Sequence, residues 1–250
     1  MLTKSGISNE DEFVEKVNGK KYGELNNNLQ YFIAHLFPYV SDDDMLYCFK
    51  TEDYIKPDIC IKWKDKEEFI SLKFGMSDGI HGESLLTFLD FLKSLGLEQE
   101  YIKTIQLFAY GDGTTDGTGE VRKNGIEVRY ELKDEIFKLN KRLNQDKDFI
   151  KKVIERLLFK GVNPLAQKAR YIYHGNTEYG DFVSSSQIMK HIDNKSWAFM
   201  DCPHIGPVVF RPHARYSQKT IRNEKYRHEL KFSWPNLLPD MRYMNRRYNW

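Results

Sequence analysis

KPDICIKWKDKEEFISLKFG, residues 56–75, is the stretch that decides the fold of this chain. It contains two runs in which apolar and polar residues alternate, which is the pattern of β-strands with one buried face. The charged run between them, residues 63–67, predicts the turn of an antiparallel hairpin. Pro57 suits the first position of a strand, because proline has no N–H to donate to a neighbouring strand. The hairpin therefore begins at Pro57 and Asp58 and ends at Lys73.

The alternation predicts that three polar side chains lie on one face of this hairpin. Side chains on a strand alternate between faces and rise about 3.3 Å per residue, so Ser71 and Lys73 share a face about 7 Å apart. On the other strand Asp58 points away from Ile59 and Ile61, and pairing of the strands brings Asp58 beside Ser71 and Lys73. A carboxylate, a hydroxyl and an ammonium group at strand ends suit metal-dependent phosphodiester hydrolysis.

These residues resemble the motif of the PD-(D/E)xK nuclease superfamily, which includes many restriction endonucleases and several repair and recombination nucleases. In that family a Pro-Asp pair begins one strand of a central sheet, and an acidic residue, any residue and a lysine end the next. Pro57, Asp58 and Lys73 match this motif, while Ser71 stands where the family usually has Asp or Glu. A known variation of the superfamily has Ser-x-Lys, with the missing carboxylate supplied by the following helix. The resemblance covers roughly residues 20–110.

The resemblance implies an α/β (α+β) fold: a restriction endonuclease-like central mixed β-sheet flanked by helices, with a smaller C-terminal α+β region. It also implies a Mg²⁺-dependent deoxyribonuclease acting on double-stranded DNA, most similar to type II restriction endonucleases. Asp58 and further carboxylates would hold one or two Mg²⁺ ions, because this cation prefers oxygen ligands. Lys73 would orient the attacking water, and Ser71 would hydrogen-bond a metal-bound water.

Glu83 is the first candidate for the missing carboxylate. Residues 75–96 predict a loop followed by a helix, in which Leu85, Leu89 and other leucines form an apolar stripe. Glu83 falls in the expected first turn of this helix and would serve as a catalytic residue and metal ligand. The alternative interpretation is a glutamate favoured at a helix N-terminus by the helix dipole.

Glu24 is a second candidate ligand. Residues 20–37 predict a helix that precedes the sheet, and many enzymes of the superfamily carry a metal-binding glutamate on such a helix. The alternative is a solvated helix glutamate. After the Lys73 strand, residues 102–110 predict a third central strand, which by resemblance would lie beside it.

The predicted domain boundary follows residue 163. Residues 132–160 predict two helices broken near Asn144, and the Gly-Val-Asn-Pro turn that follows predicts the end of a catalytic core formed by residues 1–163. Residues 164–250 then form the smaller α+β region, with short strands and a helix near residues 185–192.

The C-terminal region is predicted to contact DNA. From residue 211 to residue 250 the chain has ten Lys/Arg against three acidic residues, interleaved with aromatic residues. Basic side chains neutralise phosphates and rings pack on sugars or bases, although a solvated basic strand pair with a docked tail is the alternative. The basic residues proposed for DNA contact are Arg211, Arg215, Lys219, Arg222, Lys225 and Arg227.

Composition limits the class of protein. The net charge of the 250 residues is only +2, which excludes a histone-like binder whose whole surface is basic. Three cysteines at distant spacings argue for a reducing compartment and against structural zinc. No run reaches membrane-spanning length, so a soluble, cytoplasmic protein without a membrane partner is expected.

Three functional alternatives remain open from the sequence. The first is the restriction-type nuclease, for which a symmetric DNA site would favour a homodimer. The second is a non-catalytic nucleic-acid-binding protein on the same fold, with the acid lost at Ser71 and not replaced. The third is a repair or recombination nuclease that acts on DNA structure rather than on sequence.

Overall fold

The structure is a computed structural model that describes residues 6–52, 55–75, 79–163, 165–197, 200–213, 224 and 226–248. Its strands are β1 (Lys20–Lys21), β2 (Met45–Lys50), β3 (Ile59–Trp63), β4 (Lys66–Lys73), β5 (Gly79–Ser84), β6 (Tyr171–Gly175), β7 (Gly180–Ser184), β8 (His204–Ile205), β9 (Val208–Pro212) and β10 (Glu229–Ser233). Its α-helices are α1 (Gly6–Val17), α2 (Asn27–Leu36), α3 (Leu85–Ser94), α4 (Gln99–Tyr110), α5 (Gly125–Glu131), α6 (Lys133–Asn144), α7 (Lys147–Glu155), α8 (Ser185–Asn194) and α9 (Leu237–Arg247). None of these helices is long and apolar enough to cross a membrane.

The chain forms two compact units. The first consists of Met1–Ser77, Ile154–Asp193 and Asn236–Trp250, and the second of Asp78–Val153 and Asn194–Pro235. This division differs from the predicted boundary after residue 163. The reason is that the chain after this boundary returns to the first sheet, where β6 pairs with β4 and extends it.

The first unit contains a six-stranded mixed sheet in the order β1-β2-β3-β4-β6-β7. Neighbouring strands are antiparallel except β4 and β6, which are parallel. One face of the sheet is covered by α1 and α2, whose Phe13 and Phe32 pack on residues such as Ile59 and Ile70. The predicted fold class, an α+β protein with a central mixed sheet and flanking helices, is confirmed.

The predicted hairpin of residues 56–75 is also confirmed. Strands β3 and β4 pair antiparallel, with Ile59 opposite Ile70. Both side chains are fully buried, which explains why the alternation of the sequence fixes the register. Lys64 closes the turn in the left-handed region, at φ 57°.

The second unit contains a four-stranded antiparallel sheet in the order β5-β10-β9-β8. Phe210 and Phe232 on this sheet contact Phe88 of α3, and all three rings are buried. In this order β5 pairs with β10, a strand that comes much later in the chain. Residues 79–84 were expected in a loop before a helix, so this part of the prediction is wrong.

Two other local predictions are corrected by the structure. Residues 102–110, predicted as a strand, belong to helix α4, where Ile102, Ile105 and Phe108 are buried at helical spacing. The helix expected over residues 20–37 starts only at Asn27, because Asn26 caps it by accepting a hydrogen bond from the Leu29 N–H. The predicted break between α6 and α7 is confirmed.

Candidate active site

The backbone at Asp58 is fixed between two neighbouring strands. Its N–H donates to the Ile70 carbonyl of β4 at 2.9 Å, and its carbonyl accepts from the Thr51 N–H, after β2, at 3.1 Å. The Thr51 hydroxyl also donates to the Pro57 carbonyl. Asp58 is therefore held at the beginning of β3 with little freedom, which is what a positioned ligand or catalytic group requires.

The Asp58 carboxylate meets the end of β4 through one oxygen. Its Oδ2 atom accepts hydrogen bonds from the Leu72 N–H at 2.5 Å and from the Ser71 hydroxyl at 3.0 Å. The Lys73 ammonium group lies 3.7 Å from the same oxygen. The predicted meeting of Asp58, Ser71 and Lys73 on neighbouring strands is confirmed.

Ser71 connects the two charged groups of this set. Its hydroxyl is fully buried, donates to Asp58 and accepts from the Lys73 ammonium group at 2.8 Å. Lys73 also donates to the Leu72 carbonyl at 3.0 Å. The side chains of Lys73 and Asp58 are 15% and 27% exposed, so both remain partly accessible to a substrate or ion. Ser71 thus bridges the carboxylate of Asp58 and the ammonium group of Lys73.

Glu10 of α1 supplies a second carboxylate near Asp58, and the sequence reasoning missed it. Burial and the negative charge of Asp58 raise the pKa of Glu10, while the ammonium group of Lys50, 3.3 Å away, opposes this effect. Lys50 ends β2 and also contacts Asp11 at 3.2 Å. The available signal was the acidic run beside Phe13, an apolar residue that anchors a helix preceding the sheet.

Glu24, the glutamate nominated from the sequence, lies in a short turn before α2. It ends a short 3₁₀ turn, Tyr22–Glu24, and its carboxylate accepts a hydrogen bond from the Lys21 N–H at 3.3 Å. It also lines an open cavity of about 610 Å³ together with Lys16 and Lys20. Glu24 does not lie on the expected helix, which starts three residues later at Asn27, and its proposed metal-binding role stays a prediction.

Glu83 lies in the second unit, on strand β5 rather than in the first turn of a helix. It is paired with Leu230 of β10, and its side chain is buried. Its Oε2 atom lies 3.5 Å from His81 Nε2, on the same strand. The predicted location is wrong because α3 begins only at Leu85; the proposed metal-binding role stays a prediction.

His174 is a further residue beside Lys73 that the sequence did not single out. The two residues are direct neighbours across the parallel strands β4 and β6, so their side chains share a face of the sheet. Burial lowers the pKa of His174, and the positive charges of Arg242 and Lys73 add to this effect, against Asp181. A neutral imidazole beside Lys73 follows. The position of His174 beside Lys73 depends on the long-range pairing of β4 with β6, which the sequence does not show.

The predicted DNA-binding residues fall into three groups. Arg211 lies exposed on β9, opposite Lys231 of β10. Arg227 uses its guanidinium group internally: it donates to Asp112 at 2.8 Å, to the Gly119 carbonyl at 2.8 Å and to Glu224 at 2.9 Å. Arg227 thus holds the loop of residues 111–119 in place, and its proposed contact with DNA stays a prediction. Four residues lie outside the described part of the chain: Arg215, Lys219, Arg222 and Lys225.

The donor set near Asp58 is suited to a metal ion that shares its coordination with a substrate. Within the described residues, no group of three or more His, Cys, Asp or Glu side chains could hold a metal ion. Mg²⁺, however, is usually held by one or two carboxylates together with waters and substrate phosphates. Asp58 and Glu10 offer carboxylate oxygens of the type that Mg²⁺ prefers, and Mg²⁺ as the cofactor stays a prediction.

Comparison with known proteins gives a structural likeness and no match to a family or a curated protein. Among solved structures, the chain is similar to the restriction endonuclease MspI in complex with its cognate DNA. The two chains are 11% identical, the similarity covers 91% of this chain and 90% of that chain, and the TM-score is 0.47.

Proposed function

We propose that this protein is a Mg²⁺-dependent deoxyribonuclease that hydrolyses phosphodiester bonds in double-stranded DNA, as type II restriction endonucleases do. The observation that supports this function is the hydrogen-bonded set of Asp58, Ser71 and Lys73, at the start of β3 and the end of β4 in the middle of the first sheet. The reaction needs a carboxylate that holds a cation near the scissile phosphate, and a group that orients the attacking water. Asp58 and Lys73 would supply these two functions.

Each side chain of the set has a separate task in this proposal. Mg²⁺, when bound, would neutralise the scissile phosphate and activate a water. Asp58 and Glu10 would hold the ion, and Lys73 would orient the attacking water and offset the negative charge that develops on the phosphate. Ser71 keeps the Lys73 ammonium group hydrogen-bonded, so that Asp58 does not form a closer ion pair and remains available to a cation.

Glu10 and Glu83 are both candidates for the acid that Ser71 does not supply. After burial, the negative charge of Asp58 is the next cause that raises the pKa of Glu10, which favours Glu10. The variants Glu10→Gln and Glu83→Gln separate the candidates. Loss of the true ligand would raise the Mg²⁺ concentration for half-maximal cleavage, on the order of tenfold, because an anionic oxygen ligand is lost. The other variant should leave that concentration unchanged.

The test of the function is cleavage of a supercoiled plasmid with and without Mg²⁺. Wild type should cut it, and Asp58→Asn and Lys73→Met should each lower the rate by at least about a hundredfold, as expected for residues acting at the reacting centre. Lys21 and Asp43 form an exposed ion pair at 2.8 Å and give matched controls. Lys21→Met and Asp43→Asn should cut like wild type. Cleavage that persists in both site variants would dismiss this active site.

A homodimer is part of the proposal, because two-fold symmetry allows both strands of a symmetric site to be cut. Sedimentation of the protein with and without a short duplex measures it. A monomer in both conditions that nicks single strands would contradict the dimer while leaving the nuclease proposal intact. Comparison of plain duplexes with junctions and flaps tests the structure-specific alternative.

A second candidate function is DNA binding without hydrolysis. It is favoured by the absence of a three-carboxylate group within the described residues and by Ser71 at the acid position. Salt-sensitive DNA binding combined with no Mg²⁺-dependent cleavage by wild type would support it. The plasmid assay above therefore decides between the two functions.

A further inference from the structure

The second unit contains a cavity of about 330 Å³ whose lining residues have no role in the proposed active site. One face of α6 forms a wall with Phe137, Asn140, Lys141 and Asn144, and the remaining wall includes Trp197 and His204. This volume lies at the lower end of the range for small-molecule sites, roughly 300–1,000 Å³. The aromatic rings and the few polar groups that line the cavity suit a small planar ligand with hydrogen-bonding groups around its edge.

Two asparagines, the buried Asn140 and the half-buried Asn144, hold the walls of the cavity together. Asn140 donates to the carbonyls of Met200 and Cys202, both at 3.0 Å, and accepts from the His204 N–H at 3.0 Å. Asn144 donates to the His204 carbonyl at 2.9 Å and accepts from the Gly206 N–H at 2.6 Å. The side-chain amides therefore fix the β8 segment to α6, and the cavity is pre-formed.

His204 presents a hydrogen-bond acceptor to this cavity. The residue is 2% exposed, and its Nδ1 atom lies 3.1 Å from the Gly206 carbonyl. A carbonyl can only accept, so Nδ1 carries the proton. Burial lowers the pKa of His204, which keeps the ring neutral near pH 7 and leaves Nε2 as an acceptor. Within the described residues no protein group donates to Nε2.

We infer that this cavity binds an unpaired nucleobase of the DNA substrate, held against the rings of Trp197 and Phe137 and donating to His204 Nε2. Adenine, cytosine and guanine each carry an exocyclic amine that can donate, and every base has a flat face for aromatic contact. The inference deepens the proposed nuclease function and rests on it for the identity of the substrate.

The charge around the cavity favours a base within a DNA chain over a free nucleotide. Lys141 is the charged group among the described lining residues, and it is exposed. It lies in the last turn of α6, where the negative end of the helix dipole repels a polyphosphate more strongly than the single charge of one phosphodiester. Lys195, whose ammonium group lies 5.0 Å from the centre of the Trp197 ring, is a second cation beside the cavity.

The test uses 2-aminopurine, a fluorescent base whose emission is quenched by stacking. The full-length protein is titrated in EDTA, where hydrolysis does not interfere, into duplexes carrying one 2-aminopurine that is either unpaired or paired. Wild type should quench the unpaired base and bind that duplex about tenfold more tightly. Trp197→Leu and Phe137→Ala should each weaken this binding about fivefold to a hundredfold, the effect usual for base-stacking aromatic residues.

Two control variants separate the cavity from general effects. Tyr130→Ala removes an exposed ring from the neighbouring helix α5 and should bind like wild type. His204→Asn retains an amide donor near the position of Nδ1, so it preserves the contact with Gly206 while removing Nε2. It should weaken binding of the unpaired base and should unfold within a few degrees of wild type.

Three outcomes would overturn the inference. They are equal affinity of wild type for the two duplexes, unchanged quenching in the cavity variants, and tighter binding of a free 2-aminopurine nucleotide, which would identify a soluble nucleotide as the ligand. The plasmid assay is independent: base capture without cleavage would refute the nuclease proposal alone, and cleavage without base capture would refute this inference alone.

Discussion

Replacement of Ser71 by alanine tests the bridge between Asp58 and Lys73. The change removes the hydroxyl that accepts from Lys73 at 2.8 Å and donates to Asp58 at 3.0 Å, at a fully buried position. Hydrogen bonds to charged groups contribute about 1.5–3 kcal/mol each. The two charged partners retain the Leu72 main chain and partial solvent contact, so the net loss of unfolding free energy should be about 1–3 kcal/mol.

The same change should affect activity more than stability. Without the hydroxyl, the Leu72 carbonyl at 3.0 Å is the remaining hydrogen-bond acceptor of Lys73 described above, and a direct ion pair with Asp58 Oδ2, now 3.7 Å away, becomes more favourable. A closer ion pair moves Lys73 away from the attacking water and occupies the carboxylate that should hold the cation. Displacement of a catalytic group by about 1 Å lowers a rate by about a hundredfold. Ser71→Ala should therefore cleave DNA about a hundredfold more slowly than wild type.

Ser184 provides the matched control on the same sheet. It is also buried, and its hydroxyl contacts Ser186 at 2.9 Å and Gln187 at 3.1 Å without touching a charged group. Ser184→Ala should lose about 1 kcal/mol of stability, as neutral hydrogen bonds usually do, and keep full activity. Urea unfolding and single-turnover cleavage measure both quantities. Wild-type activity in Ser71→Ala would refute the bridging role.

Three further predictions concern stability and DNA affinity. Because the pKa of His174 is lowered in the folded protein, the unfolded chain binds more protons than the folded one as pH falls below 6.5, and the free energy of unfolding decreases. In urea unfolding, His174→Gln should therefore lose less stability than wild type between pH 7 and pH 5.5. Glu10 has a raised pKa, so stability falls as pH rises from about 4.5, and Glu10→Gln should reduce that fall in the same assay. Arg227→Ala should lower the free energy of unfolding in urea by about 3 kcal/mol, because the buried side chain of Asp112 loses its ion pair. Arg211→Ala, in contrast, should weaken DNA binding measured by fluorescence anisotropy and change stability little. Loss of DNA affinity without destabilisation in Arg227→Ala would contradict its structural role.

The hairpin and its three polar residues could be predicted because the information is local. Residues 56–75 contain both strands, the turn between them and the Pro-Asp start, and burial of Ile59 and Ile70 fixes the register. Asp58, Ser71 and Lys73 follow from that register. Nothing outside the hairpin was needed to place them together.

The other contributors depend on contacts between distant segments. His174 is placed beside Lys73 by parallel pairing of β4 with β6, and Glu83 becomes a strand residue by pairing of β5 with β10. The apolar residues of the stretch 102–110 fit both the two-residue period of a strand and the 3.6-residue period of a helix, as Ile102 and Phe108 show. Packing against the rest of the fold determines that this stretch is a helix and not a strand, as is common for short apolar runs.

The proposed metal ligands Asp58 and Glu10 lead to a prediction about the order of binding. If these two carboxylates hold Mg²⁺, the ion would lack a third anionic oxygen until a DNA phosphate supplies it. Mg²⁺ and DNA should therefore bind cooperatively, and each should increase the affinity for the other by the same factor. Calorimetry with Lys73→Met, which should bind without cutting, should show Mg²⁺ binding at least about tenfold tighter with a duplex present. Adding Asp58→Asn should abolish this difference. Equal Mg²⁺ affinity with and without DNA would mean that the protein completes the metal site by itself, and Glu83 would then become the first residue to examine.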